Sequence, residues 1–176
     1  MALLFLWEGV EDARLQFGRI REDRKAFMQA REELDRLSSE ARVSRQDLAS
    51  QEKREEAMES FHHNNQALFA DVHFLLISLD KIDLFSKMLT DCLGGKTNRI
   101  RQDYSRSLKE YNDFRNHLEH VDQRIKNGVT DLDLGSLVGD RFRFKGKPFD
   151  IGPAREREVE GIFSEILAAC EATSTS

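Results

Sequence analysis

A chain of 176 residues suits one domain and is long enough to bury a real core. Charged residues make up 34% of it, hydrophobic ones 39%, and there are only two prolines, a balance that favours long helices over sheet-rich or disordered classes. A formal net charge of -5 excludes a molecule whose overall field gathers nucleic acid.

The charge is unevenly spread. From Lys96 to Lys147 there are 12 Lys and Arg against 8 Asp and Glu, whereas residues 1–95 hold 13 against 18. Any basic surface is therefore local. Cys92 and Cys170 are isolated, with no C-x-x-C, and read as reduced core thiols of a cytoplasmic protein. The opening Ala2-Leu3-Leu4-Phe5-Leu6-Trp7 is apolar but short, lacks a basic flank and meets Glu8 at once. It is expected to pack on the bundle or on a partner, and no membrane span is expected. Ala172 to Ser176 should be a frayed tail on a single domain covering 1–176.

The first helix is predicted from about Glu8 to about Leu37. Val10, Ala13, Phe17, Ile20, Phe27 and Leu34 fall on one stripe, interrupted by Arg24 and Arg31. Residues 38–57 are polar and carry both signs of charge. Without Gly or Pro they suit a solvated helical extension or a turn near 38–46, with Ser44-Arg45-Gln46-Asp47 as a capping start. The second helix steps by three and four from Met58 through Phe61, Asn65, Leu68, Val72, Leu75, Leu79, Ile82, Ser86, Leu89 and Leu93. Asn65 and Ser86 on that stripe are expected to be buried polar residues that fix register. Gly94-Gly95 should stop the helix, because glycine tolerates the left-handed conformation there.

A third helix is predicted from Thr97 or Asn98, either a fitting cap, to Asn127-Gly128. Its stripe is Ile100, Tyr104, Leu108, Tyr111, Phe114, Leu118, Val121 and Ile125. A loop is expected over Val129–Gly139. Arg141-Phe142-Arg143-Phe144 and Phe149-Asp150-Ile151 then flank Lys145-Gly146-Lys147-Pro148 as a small β-hairpin that must lean on the helices. Basic residues interleaved with aromatics can track a nucleic-acid strand, but phenylalanines inward and arginines outward is the commoner reason for such a pattern. Pro153 suits a helix first turn, and Val159, Ile162, Phe163, Ile166, Leu167 and Cys170 mark a last amphipathic helix. The fold class is thus all-α, an up-down antiparallel bundle with long helices and a small β-hairpin before the C-terminal helix.

Functional side chains concentrate in Tyr111-Asn112-Asp113-Phe114-Arg115-Asn116-His117-Leu118-Glu119-His120, with an R-N-x-x-x-H spacing. Each helical residue advances by roughly 100°, so Asn116 points about opposite to the stripe and His120 about 140° from it. Asn116 and His120 are i and i+4 and share a face. Arg115 lies between that face and the core and can reach either way, or pair with Glu119 at i+4. Such a face needs a second surface to become a site. The simplest is the same helix of a second copy related by a two-fold.

Arg115-Asn116-His117-Leu118-Glu119-His120 resembles the R-N-x-x-x-H signature of the HEPN superfamily of small helical proteins. Glu119-His120-Val121-Asp122-Gln123-Arg124 resembles the E-H-x-D-x-R extension of some bacterial members, which also continue into a hairpin and a helix. The resemblance runs from the second helix to the C-terminus. It implies a homodimer with a composite cleft, acting as a metal-independent endoribonuclease of toxin or phage-defence type or only binding RNA, and in some cases silenced by an antitoxin protein. It assigns Arg115 to the scissile phosphate, His120 to general base or acid catalysis on the RNA 2′-hydroxyl, and Asn116 to a phosphate oxygen or to orienting His120. His117, Glu119, Asp122 and Arg124 would border the substrate. The alternative is a non-catalytic helical dimerisation or protein-interaction module.

His62, His63 and His73 do not read as a metal site. Glu59-Ser60-Phe61-His62 has the E-x-x-H spacing of di-iron bundles, but no second copy follows and Phe61, not His62, is on the core stripe. The chain has no Gly-rich phosphate loop and no nucleophile elbow, so neither a cofactor nor a metal is expected.

Overall fold

The computed structural model describes residues 1–43, 48–119, 136–144 and 147–174. The described elements are α1 (Ala2–Val43), α2 (Leu48–Leu93), α3 (Gly95–Asp103), α4 (Ser105–Glu119), β1 (Ser136–Val138), β2 (Arg141–Phe144), β3 (Lys147–Asp150) and α5 (Pro153–Ser174). The fold class is all-α, with long helices and a small antiparallel sheet before the C-terminal helix. The chain divides into two compact units, one of Met1–Phe17 with Val72–Ser176 and the other of Gly18–Asp71.

The smaller unit is an antiparallel helical pair. Ile20 and Phe27 of α1 and Ala57 and Leu68 of α2 are buried. Phe27 meets Phe61 with ring centroids 5.2 Å apart, and Asn64 Nδ2 donates to the Ala26 carbonyl at 3.5 Å. Both helices extend through polar sequence that local pairs support, among them Arg36 with Glu33 at 2.6 Å and with Glu40 at 2.7 Å. That outcome matches the solvated helical extension. Such exposed pairs are screened by solvent and add little to stability. The capping start at Ser44–Asp47 lies outside the described residues.

In the larger unit α1 begins at Ala2 rather than near Glu8, because Leu6 is as well buried as Val10 and Ala13 and extends their stripe. α1 and α2 again run antiparallel. Phe5 stacks on Phe85 at 5.2 Å, and Asp12 pairs with Lys81 at 2.9 Å. Gly9 faces α2 at contact distance, since a Cβ there would sit 3.4 Å from Ile82 and Lys81. Val72, Leu75, Leu76, Leu79 and Ile82 carry the α2 side of the core.

Gly94 ends α2 in the left-handed region, at φ 70. It also serves as the N-cap of α3, so Thr97 and Asn98 lie inside the first turn rather than at its start. The Thr97 hydroxyl donates back to the Gly94 carbonyl at 2.8 Å. The single predicted third helix is interrupted at Tyr104 (φ -98, ψ 10). Helical hydrogen bonds run up to Tyr104 and resume from it, from Tyr104 N to Ile100 O and from Leu108 N to Tyr104 O, so the interruption is a local kink at one residue. Helix α4 is described to Glu119, and the rest of the predicted stripe lies outside the described residues.

The hairpin forms as predicted, with Phe142 opposite Phe149 and Arg141 opposite Asp150. Both phenylalanines are buried, and Phe149 meets Phe114 at 4.8 Å and Tyr111 at 6.5 Å, so the sheet leans on α4. Burying Phe149 stabilises by about 2–3 kcal/mol. At the end of the stretch predicted as a loop, β1 adds a third strand through a turn at Gly139, φ +61, and Asp140, while residues 129–135 lie outside the described residues. Helix α5 starts at Pro153 and buries Val159, Ile162 and Ile166. It stays helical to Ser174, past the predicted start of the frayed tail.

Candidate functional site

Helix α4 carries two different faces. Its core face is Leu108, Tyr111 and Phe114, all buried. Asn112, Asp113 and Asn116 are exposed, as the helix arithmetic requires. Asn116 Nδ2 donates to the Asn112 side-chain oxygen at 2.6 Å, one helical turn back. Arg115, half-buried between the faces, turns toward α2 and pairs with Asp80 through Nη1. The guanidinium is thus engaged within the monomer, by a carboxylate on another helix. The side chains of His117 and Glu119 lie outside the described residues, as do His120, Asp122 and Arg124 altogether. The structure therefore positions Arg115 and Asn116 of the predicted site.

The other three histidines lie on α2. His62 and His63 are exposed, and His73 is half-buried beside the Phe74 ring. Among the described residues no group of three or more His, Cys, Asp and Glu is placed to hold a metal ion. Cys170 is half-buried and in no disulfide, and burial pushes its pKa up. Ser86 is fully buried, as expected for a register residue. Its oxygen accepts from Arg101 Nη1 at 2.5 Å and its hydroxyl donates to the Asp83 carbonyl at 2.8 Å, so it ties α3 to α2.

A second polar cluster, which no sequence motif marks, lies on the side of α4 that faces the sheet and α5. Arg155, in the first turn of α5, is buried under the sheet with only 9% of its side chain exposed. Its guanidinium lies over the rings of Tyr111 and Phe149, 5.2 and 5.3 Å from their centroids. Nη1 donates to Glu158 at 2.5 Å and Nη2 to Glu110 at 2.7 Å. Glu158 also accepts from the Ser107 hydroxyl and from the Tyr111 hydroxyl, the latter at 3.2 Å. Burial works against the Arg155 charge, and Tyr111, Glu158 and Glu110 outweigh it, so its pKa is raised. Burial and the Glu158 carboxylate push the Tyr111 phenol well above its ordinary value, against the pull of Arg155. No periodicity marks Arg155, because it interrupts an amphipathic pattern at a helix start. The one available signal is an arginine directly after Gly152-Pro153-Ala154, where a first-turn cation opposes the helix dipole and needs partners.

This cluster floors a cavity of about 560 Å³ lined by Arg106, Ser107, Glu110, Arg141, Asp150 and Glu158, among others. No described helix is long and apolar enough to cross a membrane. No protein-family model, curated protein or solved structure matches the chain.

Proposed function

We propose that the chain is a HEPN-like homodimer that acts on RNA at a composite cleft formed by the outer faces of two α4 helices. The carrying observation is the orientation of α4: Asn116 is exposed while Leu108, Tyr111 and Phe114 of the same helix are buried. A polar motif on an outward face is half of a site, and a two-fold mate supplies the other half. In this reading Arg115 contacts the scissile phosphate, with Asp80 fixing its approach. Asn116 binds a phosphate oxygen or orients His120, and His120 takes the proton of the attacking 2′-hydroxyl. His117, Glu119, Asp122 and Arg124 border the RNA. Cleavage needs no metal: the 2′-oxygen bonds to phosphorus as the P–O5′ bond breaks, leaving a 2′,3′-cyclic phosphate and a 5′-oxygen that takes up a proton to become a hydroxyl. An antitoxin protein covering the same face would silence it.

A second reading is a non-catalytic interaction module using the same dimer surface. It is favoured by the engagement of Arg115 with Asp80, which holds the cation inside the monomer. Incubation of varied RNAs with wild type, Arg115→Ala and His120→Ala in EDTA separates the two. Cleavage that both substitutions abolish supports the ribonuclease. Intact RNA that the protein nevertheless retains supports RNA binding without chemistry. RNA neither cut nor retained leaves only the interaction module.

A further inference from the structure

Beyond the α4 motif, we infer that α1 and α2 of the larger unit form a second contact surface, whose occupant is the same surface of a second copy of this chain. Six large apolar side chains of that unit stand away from its core. They are Leu4, Phe5 and Leu15 of α1 and Phe74, Leu84 and Met88 of α2, each 38–54% exposed. The two sets lie side by side. Phe5 stacks on Phe85 and Asp12 reaches Lys81, so the outer sides of the two helices join into one face. The spacing is that of a seam. On α2, Phe74, Ile77, Lys81, Leu84 and Met88 step by three, four, three and four; on α1, Leu4, Glu8, Glu11 and Leu15 step by four, three and four. Such steps keep one stripe of a helix turned toward a neighbouring helix, yet here the large apolar members are open to solvent.

Area and charge select the occupant. At roughly 200 Å² for a fully exposed large side chain, the six present about 600 Å² of apolar surface. A standard interface buries about 800 Å² per partner, about two-thirds of it apolar in homodimers, so the face has the apolar area that such a contact needs. Both stripes are apolar at their ends and charged in the middle, acidic on α1 at Glu8 and Glu11 and basic on α2 at Lys81. Gly9 faces Lys81 and Ile82, so the two charged centres stand at one level. A two-fold axis parallel to the helices keeps that level and lays α1 of each copy on α2 of the other. Glu8 of each copy then faces Lys81 of the other, with apolar ends against apolar ends. The bond from Lys81 to Asp12 is exposed and leaves two ammonium hydrogens for that contact. An anionic lipid surface fits poorly, because the acidic residues sit in the middle of the face. Helix α4 meets α2 on another side: Asp80, the partner of Arg115, lies about 100° round the helix from Lys81.

Sedimentation equilibrium of the full chain tests this. Wild type should associate, and Leu84→Glu should halve the assembled mass. Glu8→Lys and Lys81→Glu should each weaken association about tenfold or more, because like charges then meet across the axis. The two substitutions together should return the constant to near the wild-type value, which a merely structural defect would not do. All three positions are exposed, so far-ultraviolet circular dichroism should show the same helix content in every variant. A wild type that stays monomeric at high micromolar concentration, a mass that Leu84→Glu leaves unchanged, or no recovery in the charge-exchanged double variant overturns the inference. A dimer that Asn116→Arg dissociates and Leu84→Glu does not belongs to α4 alone, and it overturns the inference too. So does a monomer that binds phosphatidylcholine–phosphatidylserine vesicles, which assigns the face to a lipid surface.

Discussion

Arg155 shows how one side chain joins three elements. It starts α5, bonds Glu110 on α4 and lies over Phe149 of β3. Removing the cation leaves two half-buried carboxylates near each other without compensation, which is costlier than losing an exposed pair. Arg155→Met should destabilise by about 3 kcal/mol and lower the melting midpoint by roughly 6–12 °C, as read by thermal denaturation. Asp23 in the smaller unit makes a pH-dependent contribution of the opposite kind. Its pKa is pushed up to about 6, first by burial and then by the hydrogen bond and charge of Asp71, against the pull of Arg19 and His63. The folded state therefore holds the proton more tightly than the unfolded chain. Stability from this group is present at low pH and is lost as pH rises through about 6. Asp23→Asn keeps a donor toward Asp71 without the charge. It should raise the midpoint at pH 7.5 and change it little at pH 4, in melts followed across that range.

At the scale of elements, the boundaries depend on a few backbone positions. Gly94 has φ 70, and a Cβ there would find open space out to 4 Å, so a side chain meets no clash and costs only backbone strain. Gly95 has equally open space and no positive φ. Gly94→Ala should therefore cost about 1–3 kcal/mol, while Gly95→Ala, inside α3, should be neutral or slightly stabilising. A pair of urea titrations distinguishes them. The long helices, the glycine stop, the hairpin and Pro153 are legible in the sequence because each has a local cause in periodicity or dihedral preference. The kink at Tyr104 is not. Its stripe continues unbroken, and its hydroxyl donates across to Glu165 of α5 at 2.8 Å, a tertiary partner that no local pattern announces. Strand β1 escapes for a related reason. Three residues are too few to show alternation, and its partner β2 supplies the pairing.

For the whole molecule, the two faces of α4 divide the functional question. The outer face is legible in part: helix arithmetic places Asn116 in solvent, but spacing cannot show that Arg115 reaches Asp80 on another helix. The inner face, with Glu110, Glu158 and Arg155, shows in the sequence only as an arginine in the first turn of α5, because its members come from α4 and α5 and meet only after folding. The proposal that the outer face acts on RNA requires His120 beside a phosphate held by Arg115. The measurement that tests it most directly follows a labelled RNA mixed with wild type or His120→Ala in EDTA and identifies the new ends. The account predicts wild-type cleavage to 2′,3′-cyclic phosphate ends and none from His120→Ala. Equal cleavage by the two proteins, or RNA that is neither cut nor bound by wild type, would contradict it.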